Sequence, residues 1–113
     1  MNDCIFCKII RGEIPSTKVF ENDKVLAFKD LYPQASVHLL FVHKNHSTNI
    51  NEMSLEPSDI ADIFKAIESY TNESKLSETG FRVVTNHGKH AGQTVFHTHF
   101  HVLGGEHLGH FGR

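Results

Sequence analysis

Hydrophobic residues in this chain change their spacing along its length, and each spacing predicts a different element. Ile5, Phe6, Ile9 and Ile10 recur at helical intervals and predict a short amino-terminal helix that Gly12 ends. Ile14-Pro15-Ser16 reads as a turn. Lys18 to Glu21 and Val25 to Lys29 read as two strands joined by Asn22-Asp23. Asp30 to Ala35 reads as a loop, because Pro33 disfavours helix at the residue before it. Val37 to Val42 reads as a buried strand containing His38. Ile60, Ile63, Phe64, Ile67 and Tyr70 mark one face of a helix from about Pro57 to Leu76. Pro57 suits the first turn of that helix, and Asp59 suits its dipole. Beyond Gly80, Phe81 to Thr85 reads as a strand and Asn86 to Gln93 as a glycine-containing loop. Thr94 to Leu103 reads as the last strand, ending at Gly104-Gly105. Strands joined by short turns beside one long helix predict an α+β fold. The expectation is a largely antiparallel sheet of about five strands, with the long helix and a short amino-terminal one, in a single domain over residues 1–113.

Composition narrows the functional classes. A chain of 113 residues buries a real core without disulfide staples. Hydrophobic residues at 39% and charged residues at 21% exclude a disordered chain. A net charge of -2 gives no field strong enough to hold a nucleic-acid backbone. The start, Met1-Asn2-Asp3-Cys4, lacks a basic region followed by an apolar run, so no signal peptide is expected. Nothing approaches the length of a membrane span, and the cytoplasm is the expected location. Two features change this bland picture. The chain carries 10 histidines, and its two cysteines, Cys4 and Cys7, are separated by two residues. Without an export signal, that pairing suggests metal or redox chemistry rather than a structural disulfide.

The histidines concentrate in Val95-Phe96-His97-Thr98-His99-Phe100-His101-Val102, where the alternation is strict. On a strand, side chains point to opposite faces in turn. His97, His99 and His101 are therefore expected on one face, with Phe96, Thr98, Phe100 and Val102 on the other. The rise of a strand spaces neighbouring histidines by roughly 7 Å. A neutral imidazole offers a lone pair that attacks phosphorus, and a second imidazole carries protons. A lone strand histidine is ordinarily a half-buried polar residue, and a row of them is also compatible with a plain metal site. Three in register after a glycine loop favour phosphate chemistry. Gly92-Gln93-Thr94 stands directly upstream, and glycine lets backbone N–H groups approach an anion closely.

These segments together carry a resemblance. Cys4 to Ile10, Phe28-Lys29-Asp30-Leu31, His38-Leu39-Leu40, Asn86 and Gly92-Gln93-Thr94, with His97 to Gly105, resemble the histidine-triad (HIT) family, and within it the Hint-like branch of purine nucleoside phosphoramidases. The resemblance implies a hydrolase that carries a nucleoside monophosphate on the middle histidine, here His99. It implies that His101 contacts phosphate oxygens and helps proton transfer, and that His38 is a relay partner behind it. Asp30 would accept hydrogen bonds from ribose hydroxyls. Asn86, Gly92, Gln93 and Thr94 would position phosphate and leaving group. Ile5, Phe6, Ile9, Ile14, Phe28, Leu31 and Leu40 would form the apolar base pocket, with plain core packing as the alternative for each. It further implies a homodimer with the sheet continued across the interface.

Zinc is the second implied feature. Two thiolates separated by two residues reach one tetrahedral ion. Some relatives, bacterial ones among them, complete the set with two histidines at the positions of His46 and His97, and all four positions match here. Such a closed four-ligand site is structural. His43 is an alternative to His46. No Mg²⁺ is implied, and no Walker pattern is present. His87, His90, His107 and His110 receive no role; the last two lie in a tail, Glu106 to Arg113, that shapes leaving-group recognition in some relatives.

The leading expectation is thus hydrolysis of a purine nucleoside 5'-phosphoramidate through a nucleotidyl-His99 intermediate. A dinucleoside polyphosphate hydrolase is the competing enzyme reading, because the same intermediate serves it. Retention of the third histidine, His101, and the short chain argue against a nucleotidyltransferase. A nucleotide-binding regulatory protein with incidental catalysis is the reading from another class.

Overall fold

The computed structural model describes residues 4–110. Met1-Asn2-Asp3 of the expected leaderless start, and Phe111-Gly112-Arg113 of the tail, lie outside the described residues. The elements follow as α1 (Ile5–Ile10), β1 (Lys18–Glu21), β2 (Val25–Lys29), β3 (Val37–His43), α2 (Ile50–Met53), α3 (Pro57–Glu73), α4 (Leu76–Thr79), β4 (Phe81–Val84) and β5 (His99–Gly104). A short 3₁₀ turn, Lys89–Ala91, sits in the loop before β5. The strands form one five-stranded sheet in the order β1-β2-β3-β5-β4, and every neighbouring pair is antiparallel. This is the α+β architecture expected from the pattern.

β3 is central and explains why its sequence reads as an unbroken apolar run: both of its faces are covered. Leu39 and Phe41 point to one side with Val25, Ala27, Phe100 and Val102, against Ile63, Ala66 and Ile67 of α3. Leu40 and Val42 point to the other side with Leu26 and Phe28, against Phe6 and Ile9 of α1. The side of β3 that faces α1 also carries His38, and the neighbouring β5 adds His99 and His101 opposite Val42 and Leu40. The sheet therefore presents His38, His99 and His101 on its α1 side, and mainly hydrocarbon, with His43 at one end, on its α3 side.

Local chemistry sets the ends of these elements. Cys4 caps α1, its sulfur accepting from the Cys7 amide at 3.3 Å. The β1–β2 turn is held by Asn22, whose Oδ1 accepts from the amides of Lys24 and Val25 at 2.9 and 2.8 Å. α2, which the apolar spacing did not predict, is one turn long and is capped by Asn49, whose Oδ1 accepts from Glu52 N at 2.9 Å.

Two boundaries differ from the sequence expectation. The helix expected to reach Leu76 stops at Glu73, because Lys75 takes a left-handed conformation with φ of 66°, and α4 starts afresh after it. The last strand, expected from Thr94, begins at His99. Thr98 has left the sheet ladder: its amide donates to Ser47 O at 2.8 Å, and its hydroxyl meets that of Ser47 at 2.7 Å. At the far end of β5, Gly104 is required by close approach. A Cβ there would come within 2.9 Å of Leu76 Cδ1 and 3.2 Å of Gly80 O.

Ile63 is fully buried in the α3 face, whereas Leu55 is 77% exposed. Ile63→Ala is expected to lower unfolding free energy by about 2–5 kcal/mol in urea titration, and Leu55→Ala by less than about 0.5 kcal/mol. Equal effects would contradict this division of the core.

Candidate active site

His99 and His101 both project from β5 toward α1, with ring centroids 5.2 Å apart. The separation is shorter than the roughly 7 Å spacing of alternate strand residues because the rings tilt toward each other, at 61°. His97 lies before the ladder begins, 1% exposed; it packs against Phe6 as His99 does, centroids 5.9 Å apart, and its ring turns to Cys4, Cys7 and His46. The expected row of three thus stays toward α1, but its members differ in partners: His99 and His101 line the cavity, and His97 joins the cysteines. Phe96, expected opposite the histidines with Phe100, is 55% exposed where Phe100 is buried.

Backbone groups fix which ring nitrogen carries each proton. A carbonyl only accepts, so His99 Nδ1–H donates to His97 O at 2.7 Å and Nε2 keeps the lone pair. The Gln34 amide donates to His38 Nδ1 at 2.9 Å, which puts the His38 proton on Nε2. That proton is donated to His101 Nδ1 at 2.8 Å, so His101 carries its own on Nε2. The outcome is one basic nitrogen, on His99, beside one N–H donor, on His101. Burial pushes the His99 pKa down, opposed by its bond to the His97 carbonyl. Burial, reinforced by the neighbouring His99 and His38, pushes His101 down to about 4. Both rings are thus held neutral at pH 7.

These rings line a cavity of 490 Å³, of the size that takes a small ligand. Ile5, Phe6, Ile9 and Ile14 form one wall, and Phe28 and Leu40 line the sheet side. Phe6 packs edge-on against His99, centroids 5.1 Å apart. Asp30, Leu31, His38 and Thr94 also line it, as the sequence predicts. Asp30 Oδ2 lies 3.4 Å from His38 Nε2, and Oδ1 accepts from the Tyr32 amide at 2.8 Å. An apolar chamber with one carboxylate and three imidazoles along it suits a flat apolar group joined to hydroxyls and an anion.

The loop upstream of β5 departs from expectation. Gln93 is buried, and its amide braces the loop: Nε2 donates to Thr48 O at 2.7 Å and Val95 O at 3.2 Å, and Oε1 accepts from Gly88 N at 2.9 Å. The amides of Ala91 and Gln93 donate to Gly88 O, and that of Gly92 to Lys89 O. Those N–H groups are spent within the loop, so they form no open anion cradle. Asn86, Gly92 and Gln93 are not among the described residues that line the cavity, whereas Thr94 is. Sequence reasoning missed Tyr32 and Gln34 at the rim, and the Gln34 amide that sets His38. A backbone donor leaves no signature in residue type.

Cys4, Cys7, His46 and His97 converge, and each offers one ligand atom within 4.8 Å of the others. His97 Nδ1 is 3.2 Å from Cys4 Sγ, 3.5 Å from Cys7 Sγ and 3.1 Å from His46 Nδ1, and Cys7 Sγ is 3.4 Å from His46 Nδ1. Tetrahedral bonds of about 2.0–2.3 Å put ligand atoms about 3.3–3.8 Å apart, so these edges fit a zinc-sized ion. His97 Nε2–H donates to His43 O at 2.9 Å, which leaves Nδ1 as the lone pair facing the thiols. Burial pushes His97 down to about 4 and Cys7 up to about 11, the latter helped by Cys4. A cation among these atoms would offset what burial imposes on the thiols. His43 is no alternative to His46. Its ring faces α3, with Nε2 2.9 Å from Asp62 Oδ2 and 3.4 Å from Asp59 Oδ1. Its Nδ1 accepts from the Asn45 amide, so Nε2 bears a proton and offers those carboxylates a hydrogen bond, not a metal ligand. His87, His90, His107 and His110 are exposed, and Arg82 holds the tail through the carbonyls of Gly109 and His110.

Comparison with known proteins bears on this geometry. The HIT domain matches residues 11–108. The purine nucleoside phosphoramidase of Escherichia coli is 37% identical over 108 residues, covering 95% of this chain and 91% of that protein. An uncharacterized HIT-like protein of Methanocaldococcus jannaschii is 42% identical over 102 residues, covering 88% and 77%. Among solved structures, a histidine triad protein from Clostridium difficile superposes with a TM-score of 0.94 at 45% identity, covering 98% of this chain and 97% of that one. A HIT family hydrolase from Clostridium thermocellum gives 0.92 at 42%, covering 97% and 96%.

Because the Gln93 amide is bonded inside the loop, Gln93→Ala is expected to lower the stability of the ligand-free protein by about 1–3 kcal/mol in urea titration. No change in stability would mean that Gln93 is free to serve a ligand.

Proposed function

The chain belongs to the HIT domain family, and on that premise we propose that it is a hydrolase of purine nucleoside 5'-phosphoramidates. The carrying observation is the pair of ring states in one cavity: a lone pair on His99 Nε2 beside a proton on His101 Nε2. In this reading the base lies among Ile5, Phe6, Ile9, Phe28 and Leu31, and the ribose hydroxyls donate to Asp30. The E. coli relative named for this activity supports the substrate class.

His99 Nε2 gives its lone pair to phosphorus, and the N–P bond forms as the bond to the amine breaks. The amine leaves with a proton taken from solvent. His101 donates from Nε2 to a phosphate oxygen and meets the charge that develops there. His38 is a positioning residue: it keeps the His101 proton on Nε2. Thr94 meets the leaving group with its hydroxyl. Water then attacks phosphorus, a P–O bond replaces the bond to His99, His99 recovers its lone pair, and the proton lost by the water returns to solvent, matching the one taken up by the amine. The products are a nucleoside monophosphate and an amine. No step calls on Mg²⁺.

Cys4, Cys7, His46 and His97 hold zinc in this reading, as a closed structural site. When bound, the ion ties α1, which carries the base wall, to the segment whose carbonyl orients His99. Thiolate ligands of this kind suit the reducing cytoplasm. β4 is an edge of the sheet, with Val83 36% exposed, and its free side supports a homodimer with a continuous sheet.

Incubation with adenosine 5'-phosphoramidate should release AMP, and rapid quenching should trap an AMP adduct on His99 by mass spectrometry. His99→Ala should lower turnover by about 10³-fold or more. Equal rates for the two proteins would remove His99 as the nucleophile. Faster turnover of diadenosine tetraphosphate than of the phosphoramidate would favour the dinucleoside polyphosphate reading. Native mass spectrometry should give two chains with two zinc ions, and Cys7→Ser should lose the metal; a metal-free wild-type protein prepared in zinc would refute the site.

A further inference from the structure

The turn from Asp30 to Gln34 lines the cavity together with α1, and its exposure is unusual. Leu31 is 86% and Tyr32 80% exposed, although both line the cavity. Two adjacent large side chains left open to water at the mouth of an apolar chamber mark a surface that a ligand covers. The backbone of Tyr32 is held while its ring is not. Its amide donates to Asp30 Oδ1 at 2.8 Å, and its carbonyl accepts from Gln34 Nε2 at 3.2 Å. One bond thus ties the position of this ring to the carboxylate assigned to the ribose.

We infer that Tyr32 is a further substrate-binding residue that closes its ring over the base of a bound purine nucleotide. The inference rests on the proposed function and adds to it a residue and a mode of recognition. The wall of Ile5, Phe6 and Ile9 covers a base from the α1 side, and the Asp30–Gln34 turn supplies further lining of the same cavity. A phenol ring turning inward about its side-chain torsions covers the base from that turn and removes its own apolar surface from water. Stacking of this kind tolerates either purine, because every base presents a π face. The phenol hydroxyl is not needed for it, and the fixed backbone keeps the cost of ordering to one side chain.

Calorimetric titration of AMP into the full-length protein tests this. Tyr32→Ala should raise the Kd for AMP between about fivefold and about a hundredfold, the range of stacking on one base. Tyr32→Phe should stay within about twofold of wild type. Ribose 5-phosphate, which lacks the base, should bind wild type and Tyr32→Ala equally. With adenosine phosphoramidate the loss should fall on KM rather than on kcat. Tyr32 is exposed, so the substitution removes no core contact and folding is not at stake. An unchanged Kd for AMP, or an equal loss for ribose 5-phosphate, overturns the inference and leaves the proposed function standing. If wild type neither binds AMP nor cleaves the phosphoramidate, the proposed function falls and this inference falls with it.

Discussion

Much of this molecule depends on His97, whose carbonyl and two ring nitrogens are all committed. Its carbonyl takes the proton of His99 Nδ1, its Nε2–H goes to the carbonyl of His43, and its Nδ1 turns to Cys4, Cys7 and His46. A buried imidazole that served the reaction directly would have one of these groups free. By giving all three away, His97 joins the amino-terminal helix, the end of β3 and the first residue of β5 in one rigid junction. The proposed nucleophile inherits its orientation from that junction rather than from packing alone.

The two faces of the sheet divide the labour. The α3 face is hydrocarbon against hydrocarbon and supplies most of the buried apolar surface. The α1 face is thinner, because a six-residue helix covers only part of it, and the remainder is open as the cavity. A short helix has little intrinsic stability in water. Cys4 and Cys7 hold α1 where its own hydrogen bonds would not, and so hold the wall made by Ile5, Phe6 and Ile9. The Cys4–Cys7–His46–His97 cluster and the cavity are joined through this one short helix.

Proton placement follows from the same economy. His38 and His99 each meet a backbone group on one side, and that contact decides the tautomer on the other. Gln34 does this for His38, and His38 then does it for His101. Burial keeps both β5 rings neutral, so a basic nitrogen and a donor stand side by side without charge repulsion.

The alternation of residues 95–102 was enough to single out His99 and His101, because period-two spacing is a local property of a strand. The same alternation kept His97 on the α1 side against Phe6, but gave no sign that the ladder starts only at His99, where bonds from Thr98 to Ser47 hold the chain out of it. The apolar spacing located all five strands and the long helix, since burial of one face is written in residue type. It did not reveal α2, which is a capped single turn, or the break at Lys75, which is a matter of backbone conformation. The spacing of Cys4 and Cys7 suggested metal or redox chemistry from sequence alone. Only the tertiary structure brought His46 rather than His43 to them, because the His46 ring turns toward the thiols and the His43 ring toward Asp59 and Asp62. Gln93 shows the same limit: its residue type suited a phosphate contact, and its three bonds within the loop are seen only in the folded chain. Residue type and periodicity determined which groups were available for chemistry. Their partners, and so their protonation and direction, are long-range contacts that no local pattern records.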